Sequence, residues 1–471
     1  MKTMKALVLG VVLAAAGTTY AQSSDAILDL LIKKGVINQR EANDVREQLD
    51  QQTQQAIEMY SKTKSGSWLD ALVFTGDLRL RAEYFEFERN PATDLKLQSD
   101  RLRYRYRLRF GAEADYHDWA AVNLRLGSGE DNPQGSKGTG DPVSNNTTFT
   151  DTWRKKPIYI DAAYVTLHWP GSDLVKVIGG KMDLPIWQPK FNSPLVYDFD
   201  NTPEGVAEQV QYKFGDKEQL RVFGNFGEFA LKEFSKDAND SYMFDMQGGI
   251  EGKIGDPKAP TLRWTAAGGY YFTRGLDNFN YPIGIDGANL GNATKNVVSG
   301  GKTNLVLFND FNDLDARGEV AWRITDKPVL GTPALFTVSG EYLVNIQNTW
   351  DKLTGSAGGA VSNVNQTTGW TVQAQFGEAK KKGQWQVAYQ YKYLQADSTW
   401  DAITDSDYGN GGTDRKGHVI KAAYNLQDWW QLGFSAFITE KISDRPNSGH
   451  DTVGFAGAEH LRIQADTIFK F

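Results

Sequence analysis

The stretch RLRYRYRLRFGAEAD, residues 101–115, alternates basic with apolar side chains over its first ten positions. A β-strand turns successive side chains to opposite faces, so this period of two predicts a strand with one guanidinium face and one apolar face. In a soluble sheet the apolar face would cover a core and the basic face would meet water. In a transmembrane barrel the apolar face would instead meet lipid and the basic face would line the interior. The rest of the sequence decides between these two arrangements.

The same two-faced pattern recurs to the last residue. From Trp68 onward we count about sixteen strand-like segments, each with apolar residues on one parity. The connections alternate between short turns, such as residues 116–118, and long polar loops, such as residues 274–304. This alternation is typical of transmembrane barrels, and a soluble sandwich gives no reason for it. The sequence therefore predicts an all-β fold, an antiparallel 16-stranded transmembrane β-barrel whose apolar side chains face lipid.

This arrangement places the arginines inside the barrel. On the lipid face, each would cost about 2–4 kcal/mol near the midplane. The predicted basic wall of the lumen consists of Arg79, Arg81, Arg101, Arg103, Arg105, Arg107, Arg109 and Arg125. An alternative stays open, in which these guanidiniums pair with carboxylates on the same wall. The carboxylates concerned are Asp77, Glu83, Glu113 and Asp115.

Composition excludes several classes of function. The 471 residues include no cysteine, which rules out disulfides, thiolate metal sites and cysteine nucleophiles. Without the first 21 residues, 49 basic residues stand against 58 acidic ones, and this acidic balance argues against a nucleic-acid partner. No run of 18 apolar residues follows those 21, so transmembrane helices are not expected. No catalytic motif is present, and we predict no enzyme activity, no metal site and no cofactor.

The N-terminal part differs from the rest. Residues 1–21 are predicted to be a signal peptide, with Lys2 and Lys5 before an apolar stretch and a small-residue cleavage site. Residues 22–67 are predicted to form a periplasmic α-helical segment and a linker, and residues 68–471 the barrel. The helical segment fits a helical hairpin or a coiled-coil stalk. Its apolar stripe consists of Ala42, Val45, Leu49, Ala56 and Met59.

Three features resemble a known family. The last strand ends in Phe471, the passage GGKMD at 179–183 leads to DFDNTPEG at 198–205, and LLIKKGVI lies at 30–37. Together they resemble the "putative porin" family of the bacterial outer membrane. The resemblance implies a 16-stranded barrel, usually trimeric, in which the third long loop folds inward as a constriction.

The predicted constriction loop is acidic. Its carboxylates are Asp183, Asp198, Asp200 and Glu204. If the loop crosses the lumen toward the basic wall, the two signs face each other across water and create a transverse field. At physiological salt the Debye length is about 8 Å, so only a narrow passage would feel that field strongly.

The expected function is passive diffusion of small hydrophilic solutes and ions through a water-filled channel. The expected surroundings are outer-membrane lipid and lipopolysaccharide, with three copies of the chain together. Two alternatives stay open. Arginines at alternate positions suit phosphate or carboxylate, so the channel could be specific for such anions. The barrel could also be mainly structural and tether the envelope through its N-terminal helix.

Overall fold

The computed structural model describes most of the predicted barrel. The described residues are 71–88, 99–117, 119–130, 140–150, 152–169, 171–215, 219–235, 240–256, 259–277, 290–299, 301–347, 366–443 and 455–471. The predicted signal peptide, helical segment and linker at 1–67 lie outside them. Within the described ranges, no helix has the length and apolar character needed to cross a membrane.

Strands make up nearly all of the described structure. They are β1 (Ala71–Phe87), β2 (Arg101–Tyr116), β3 (Ala120–Ser128), β4 (Thr147–Thr148), β5 (Ile158–His168), β6 (Val175–Lys181), β7 (Glu204–Phe214), β8 (Leu220–Lys232), β9 (Ser241–Asp256), β10 (Ala259–Arg274), β11 (Thr294–Ser299), β12 (Lys302–Leu307), β13 (Asn312–Val329), β14 (Thr332–Asn345), β15 (Thr368–Gly377), β16 (Trp385–Leu394), β17 (Arg415–Gln427), β18 (Trp430–Lys441) and β19 (Glu459–Lys470). A single 3-10 turn, Asp401–Ile403, is the one described helical element.

Sixteen of these strands form one closed antiparallel barrel, which confirms the predicted fold class. Each pairs with its neighbours in chain order, and β19 pairs with β1 from Asp77↔Lys470 to Phe87↔His460. The other three strands are short and lie within predicted long loops. β4 pairs with β2 beyond the end of β3, and β11 pairs only with β12. Periodicity could not predict them, because such short pairs carry no sustained alternation.

The two faces of the wall are those that the sequence predicts. Along β2, Leu102 and Tyr104 are 59% and 51% exposed on the outside, whereas Arg105 is 7% exposed. Outward apolar residues recur on nearly every strand of the barrel. The side chains that water would solvate are therefore enclosed, as expected where the barrel exterior is hydrocarbon.

The barrel closes on its C-terminal residue. The Gly76 N–H donates to the Phe471 carbonyl (2.7 Å), and the Phe471 N–H donates to the Gly76 carbonyl (3.0 Å). A Cβ on Gly76 would lie 2.4 Å from the Phe471 ring and 2.7 Å from the Arg109 backbone carbonyl oxygen, which cannot turn away as a side chain can, so this close approach favours glycine. The terminal aromatic residue is thus part of the seam between the first and last strands.

Connections on one end of the barrel are short, and those on the other end are long. We call these the short-turn end and the long-loop end. Toward the long-loop end, several loop segments pack apolar side chains inside the barrel. The cluster includes Met182, Leu195, Tyr197, Tyr271, Leu307 and Trp400, all nearly inaccessible to solvent. A considerable part of the interior is therefore filled by protein.

Candidate functional site

Residues 182–203, between β6 and β7, are called here the inner loop. Three buried glutamines on distant strands hold its backbone: Gln247 of β9, Gln373 of β15 and Gln390 of β16. Gln247 accepts the Trp187 N–H and donates to the Trp187 carbonyl, both at 2.8 Å. The loop leaves the wall at β6 and touches strands halfway around the barrel, so it crosses the interior.

The other two glutamines act in the same way. Gln373 accepts the Asn192 N–H (2.6 Å) and donates to the Lys190 carbonyl (3.0 Å). Gln390 accepts the Ser193 N–H (2.8 Å) and donates to the Ser193 carbonyl (2.7 Å). A side-chain amide has one acceptor and two donor hydrogens, so each glutamine satisfies backbone groups of both kinds. We call these three interactions the glutamine clasps.

Two lysines add to this anchorage. Lys392 of β16 donates to the Pro194 carbonyl (2.6 Å), and Lys421 of β17 donates to the Asn192 carbonyl. Both contacts are charge-assisted hydrogen bonds to backbone, which do not depend on the identity of the loop side chains. The far side of the inner loop is therefore fixed through its main chain.

The near side of the inner loop is fixed by ion pairs with the predicted basic wall. Asp183 lies 2.7 Å from a guanidinium nitrogen of Arg125. Asp200 lies 3.4 Å from Arg107 and 3.7 Å from Arg109. The predicted acids and arginines are thus brought together, but they touch directly instead of facing each other across water.

The other two predicted loop acids do not touch the basic wall. Asp198 accepts the N–H groups of Asp200 (2.8 Å) and Ser406 (2.9 Å). Burial, with the nearby charges of Asp405 and Asp200, holds the pKa of Asp198 well above its usual value. Glu204 is not a loop residue: it is the first residue of β7 and pairs with Lys181 at 3.1 Å.

Acidic partners on the wall itself neutralise much of the basic row. Arg103 contacts Glu83 at 2.6 Å, and Arg107 and Arg109 contact Asp77 at 3.0 and 2.7 Å. These are pairs that the same-wall alternative names. The other two carboxylates of that alternative, Glu113 and Asp115, lie on the short-turn half of β2. They form no ion pair within the described ranges.

The remaining predicted arginines have other partners. Arg79 donates to the Asn146 side chain (2.6 Å), and Arg105 donates to the Asn146 carbonyl (3.2 Å). Arg101 stacks over the Phe85 ring, 4.9 Å from its centroid. Residues near 146 belong to the loop between β3 and β5, so a second loop also covers the basic wall.

A buried cluster of ion pairs joins the first and last strands. The sequence analysis identified only Arg81 and Glu83 among its residues. Arg81 contacts Asp466 (2.7 Å) and Asp407 (3.0 Å), and Arg462 contacts Asp407 (2.6 Å) and Glu83 (2.7 Å). Burial opposes ionisation of Asp407, but the adjacent guanidiniums outweigh it and hold its pKa well below the usual value. Inward parity on β19 could have indicated Arg462 and Asp466, whereas Asp407 lies in a loop without any pattern.

Residues 395–414, between β16 and β17, form a second interior loop that is latched to the inner loop. The Asp198 N–H and the Asn201 side chain both donate to the Ile403 carbonyl, at 2.8 and 2.7 Å. The Ser406 hydroxyl donates to the Val143 carbonyl at 3.0 Å. Three long connections therefore meet inside the barrel.

Open space remains on both sides of one inner-loop residue, Leu184. Two cavities of about 340 and 310 Å³ share Lys176, Leu184 and Gln209, and lie toward the short-turn end. A third cavity of about 360 Å³ lies toward the long-loop end and is lined by Leu184, Tyr197 and Glu204, among others. Leu184 is the side chain that lines all three.

Comparisons with known proteins find one family and several solved structures of outer membrane proteins. A family described as "Putative porin" matches residues 89–277 and 288–453. No curated protein sequence matches. The outer membrane channel DcaP of Acinetobacter baumannii is 13% identical, with 87% of this chain and 99% of that chain covered and a TM-score of 0.44. OprB of Pseudomonas putida is 11% identical, with 85% and 94% covered and a TM-score of 0.48. OmpT of Vibrio cholerae, an outer membrane protein, is 12% identical, with 85% and 97% covered and a TM-score of 0.42. With most of its length matched by the family, the chain belongs to the porin family described as "Putative porin" and is a protein of the bacterial outer membrane.

Proposed function

We propose that this chain forms a water-filled channel for passive diffusion of small hydrophilic solutes and ions, with the inner loop as its constriction. One observation carries the proposal: the inner loop is anchored on both sides of the barrel. Asp183 and Asp200 attach it to the basic wall, and the glutamine clasps attach it to β9, β15 and β16. A loop held at both ends across a barrel narrows it without closing it.

The permeation path proposed here runs past Leu184. The cavities on the short-turn side and the cavity on the long-loop side meet at this side chain. Asp183, more than half exposed, and Lys176 would supply opposite charges close to the path. Ions passing within about 8 Å of such charges feel them, so the path should discriminate weakly by charge.

The pairing of the arginine row favours a general pore over a specific anion channel. Arg103, Arg107 and Arg109 are each within ion-pair distance of a carboxylate. A guanidinium already engaged by a carboxylate has little left to offer a passing phosphate. The proposed assembly is a homotrimer in lipid and lipopolysaccharide. The envelope-tether alternative depends on residues 22–67, which lie outside the described structure.

Planar-bilayer recording tests the proposal. We expect a conductance that rises linearly with salt. Saturation by phosphate or a carboxylate would instead indicate the specific anion channel, and absence of conductance would favour the structural tether. The variant Arg107→Ser should shift the reversal potential under a salt gradient toward cations, because Asp77 and Asp200 lose a partner. Lys381→Ser, in a short turn, is the matched control and should leave it unchanged.

A further inference from the structure

Several polar side chains on the wall beneath the inner loop have hydrogen-bonding groups that the protein itself does not use. Asn123 of β3, Tyr164 and Thr166 of β5 and Lys176 of β6 line the cavity of about 340 Å³ on the short-turn side of Leu184. Among the described residues, none of these four side chains forms a hydrogen bond or an ion pair. The inward glutamines of the clasps, by contrast, are fully engaged with the inner loop.

The strand register extends this polar surface around the wall. His168, Lys176, Gln209 and Asn225 lie on four successive strands, each directly opposite the next. Side chains in such positions have Cβ atoms about 4.5–5.5 Å apart, so they form a continuous row. Gln209 donates to the Pro185 carbonyl (2.5 Å), and its own side-chain oxygen accepts no hydrogen bond from the described residues.

The adjoining cavity of about 310 Å³ adds an aromatic surface. It shares Lys176 and Gln209 with the first cavity and is also lined by Trp187 and Phe223. The two rings meet at 60° with their centroids 6.3 Å apart, and the Arg221 guanidinium lies 4.9 Å from the Phe223 centroid. Because a glutamine clasp holds the Trp187 N–H and carbonyl, the indole is positioned before any solute arrives. We call the two cavities together the vestibule.

Charges of both signs border the vestibule, and this disfavours an ion of either sign. Glu113 and Lys176 line it without a partner among the described residues, and Asp183 is more than half exposed. An anion would be repelled by the two carboxylates, and a cation would be repelled by the ammonium group. A neutral solute avoids both repulsions.

The unused groups match hydroxyls better than carboxylates or phosphates. Amide and hydroxyl side chains both donate and accept hydrogen bonds, as an alcohol does, whereas an ionised carboxylate only accepts. Solute hydroxyls can also donate to Glu113 and accept from Lys176. Small-molecule sites commonly combine an aromatic wall with a few placed polar groups. A sugar ring suits this combination, because it has hydroxyls around its edge and apolar C–H groups on its faces.

We propose that the vestibule binds a neutral sugar in its ring form as the sugar passes through the channel. The inference rests on the proposed channel and names a solute class for it. One face of the sugar packs on Trp187, and its hydroxyls bond with Tyr164, Thr166, Gln209 and Lys176. So small a solute binds with a dissociation constant in the millimolar range, which allows it to leave as readily as it enters.

Block of the single-channel current by sugar tests this site. Glucose carries no charge, so it lowers the ion current specifically by occupying the path, once the conductivity of the bulk solution is corrected for. We expect the current to fall with glucose concentration and then to level off. Glucuronate and glucosamine have the same ring with a negative or a positive charge, and each should need a several-fold higher concentration for half of the maximal block.

Two variants of the vestibule should weaken the block. Tyr164→Phe/Thr166→Val removes two hydroxyls with little change of shape, and the half-blocking glucose concentration should rise at least about fivefold. Trp187→Ala should raise it roughly two- to tenfold. Tyr212→Phe, on the outer face of β7, is the matched control and should leave it unchanged. Heat-dependent gel mobility verifies that each variant barrel has folded.

The possible failures are distinct. A channel that conducts salt but shows no saturable block by glucose would overturn this site and leave the proposed channel standing, whereas absence of conductance would overturn both. Equal half-blocking concentrations in Tyr164→Phe/Thr166→Val and Tyr212→Phe would also refute the site. If glycylglycine blocks at a lower concentration than glucose, Glu113 and Lys176 select a zwitterion and the proposal is wrong.

Discussion

The glutamine clasps give the most direct test of the constriction. Replacing Gln373 and Gln390 by leucine keeps the approximate side-chain volume but removes both hydrogen-bonding ends of each amide. Backbone groups of Lys190, Asn192 and Ser193 then lose their partners. Because both glutamines are almost completely buried, water cannot replace the lost bonds without opening the structure.

The magnitude follows from the orphaned groups. A buried polar group left without its partner costs about 1–3 kcal/mol. The double variant orphans three groups on buried residues, the Asn192 N–H and the Ser193 N–H and carbonyl, so it should lose roughly 3–9 kcal/mol of inner-loop anchorage. The two clasps hold adjacent residues, and the effects will not be strictly additive. At about 1.4 kcal/mol for each factor of ten, protection of the loop amides against hydrogen exchange should fall at least tenfold.

The assay combines hydrogen exchange of residues 187–194 with single-channel recording. We expect faster exchange in this segment, a larger mean conductance and more current noise. Gln375→Leu is the matched control, because this glutamine lies on β15 but bonds to the Gly377 carbonyl instead of the loop. If the double variant exchanges no faster than the control, the clasps do not hold the loop and the reasoning is refuted.

Four further outcomes are expected. Leu184→Ala should raise the conductance and Leu184→Trp should lower it, since this side chain separates the cavities on the two sides of the inner loop. Asp183→Asn should shift the reversal potential toward anions, because it frees the guanidinium that Asp183 now pairs with. Gly76→Val should lower the free energy of unfolding by about 1–3 kcal/mol, which heat-dependent gel mobility would show as a lower melting temperature. Gly318→Ala should not, because a Cβ there meets only ordinary contacts. Burial raises the pKa of Asp401 to about 6, so its protonated form is favoured by folding, and this stabilisation is complete below pH about 4 and lost as pH rises through 6. Thermal unfolding should therefore show a decline from about pH 4 to pH 6 that Asp401→Asn reduces.

Each of these has a result that contradicts it. An unchanged conductance in both Leu184 variants would place the path elsewhere. A reversal potential that stays the same in Asp183→Asn would separate that carboxylate from the path. Equal melting of the two glycine variants would mean that the seam tolerates a side chain, and an identical pH profile in Asp401→Asn would assign the pH dependence to other groups.

The sequence by itself determined the wall of this protein. A period of two fixes which side chains share a face, and the cost of arginine in hydrocarbon fixes which face turns inward. That reasoning needs only neighbours along the chain, so it located all sixteen strands and the alternation of short and long connections. It also indicated that Arg107 and Asp200 belong to one site.

Only the tertiary structure decided how the interior is arranged. Arg81 meets Asp466 across 385 residues of sequence, and Gln390 meets Ser193 across 197. Such contacts arise because barrel closure and loop folding bring distant inward positions together, and no local pattern encodes the partner. For the same reason the sequence did not predict that loop acids and arginines are in direct contact, where a water gap was expected. It also assigned Glu204 to the loop, whereas this residue begins β7. A long loop can follow many paths, and only packing in the folded barrel determines which one it takes.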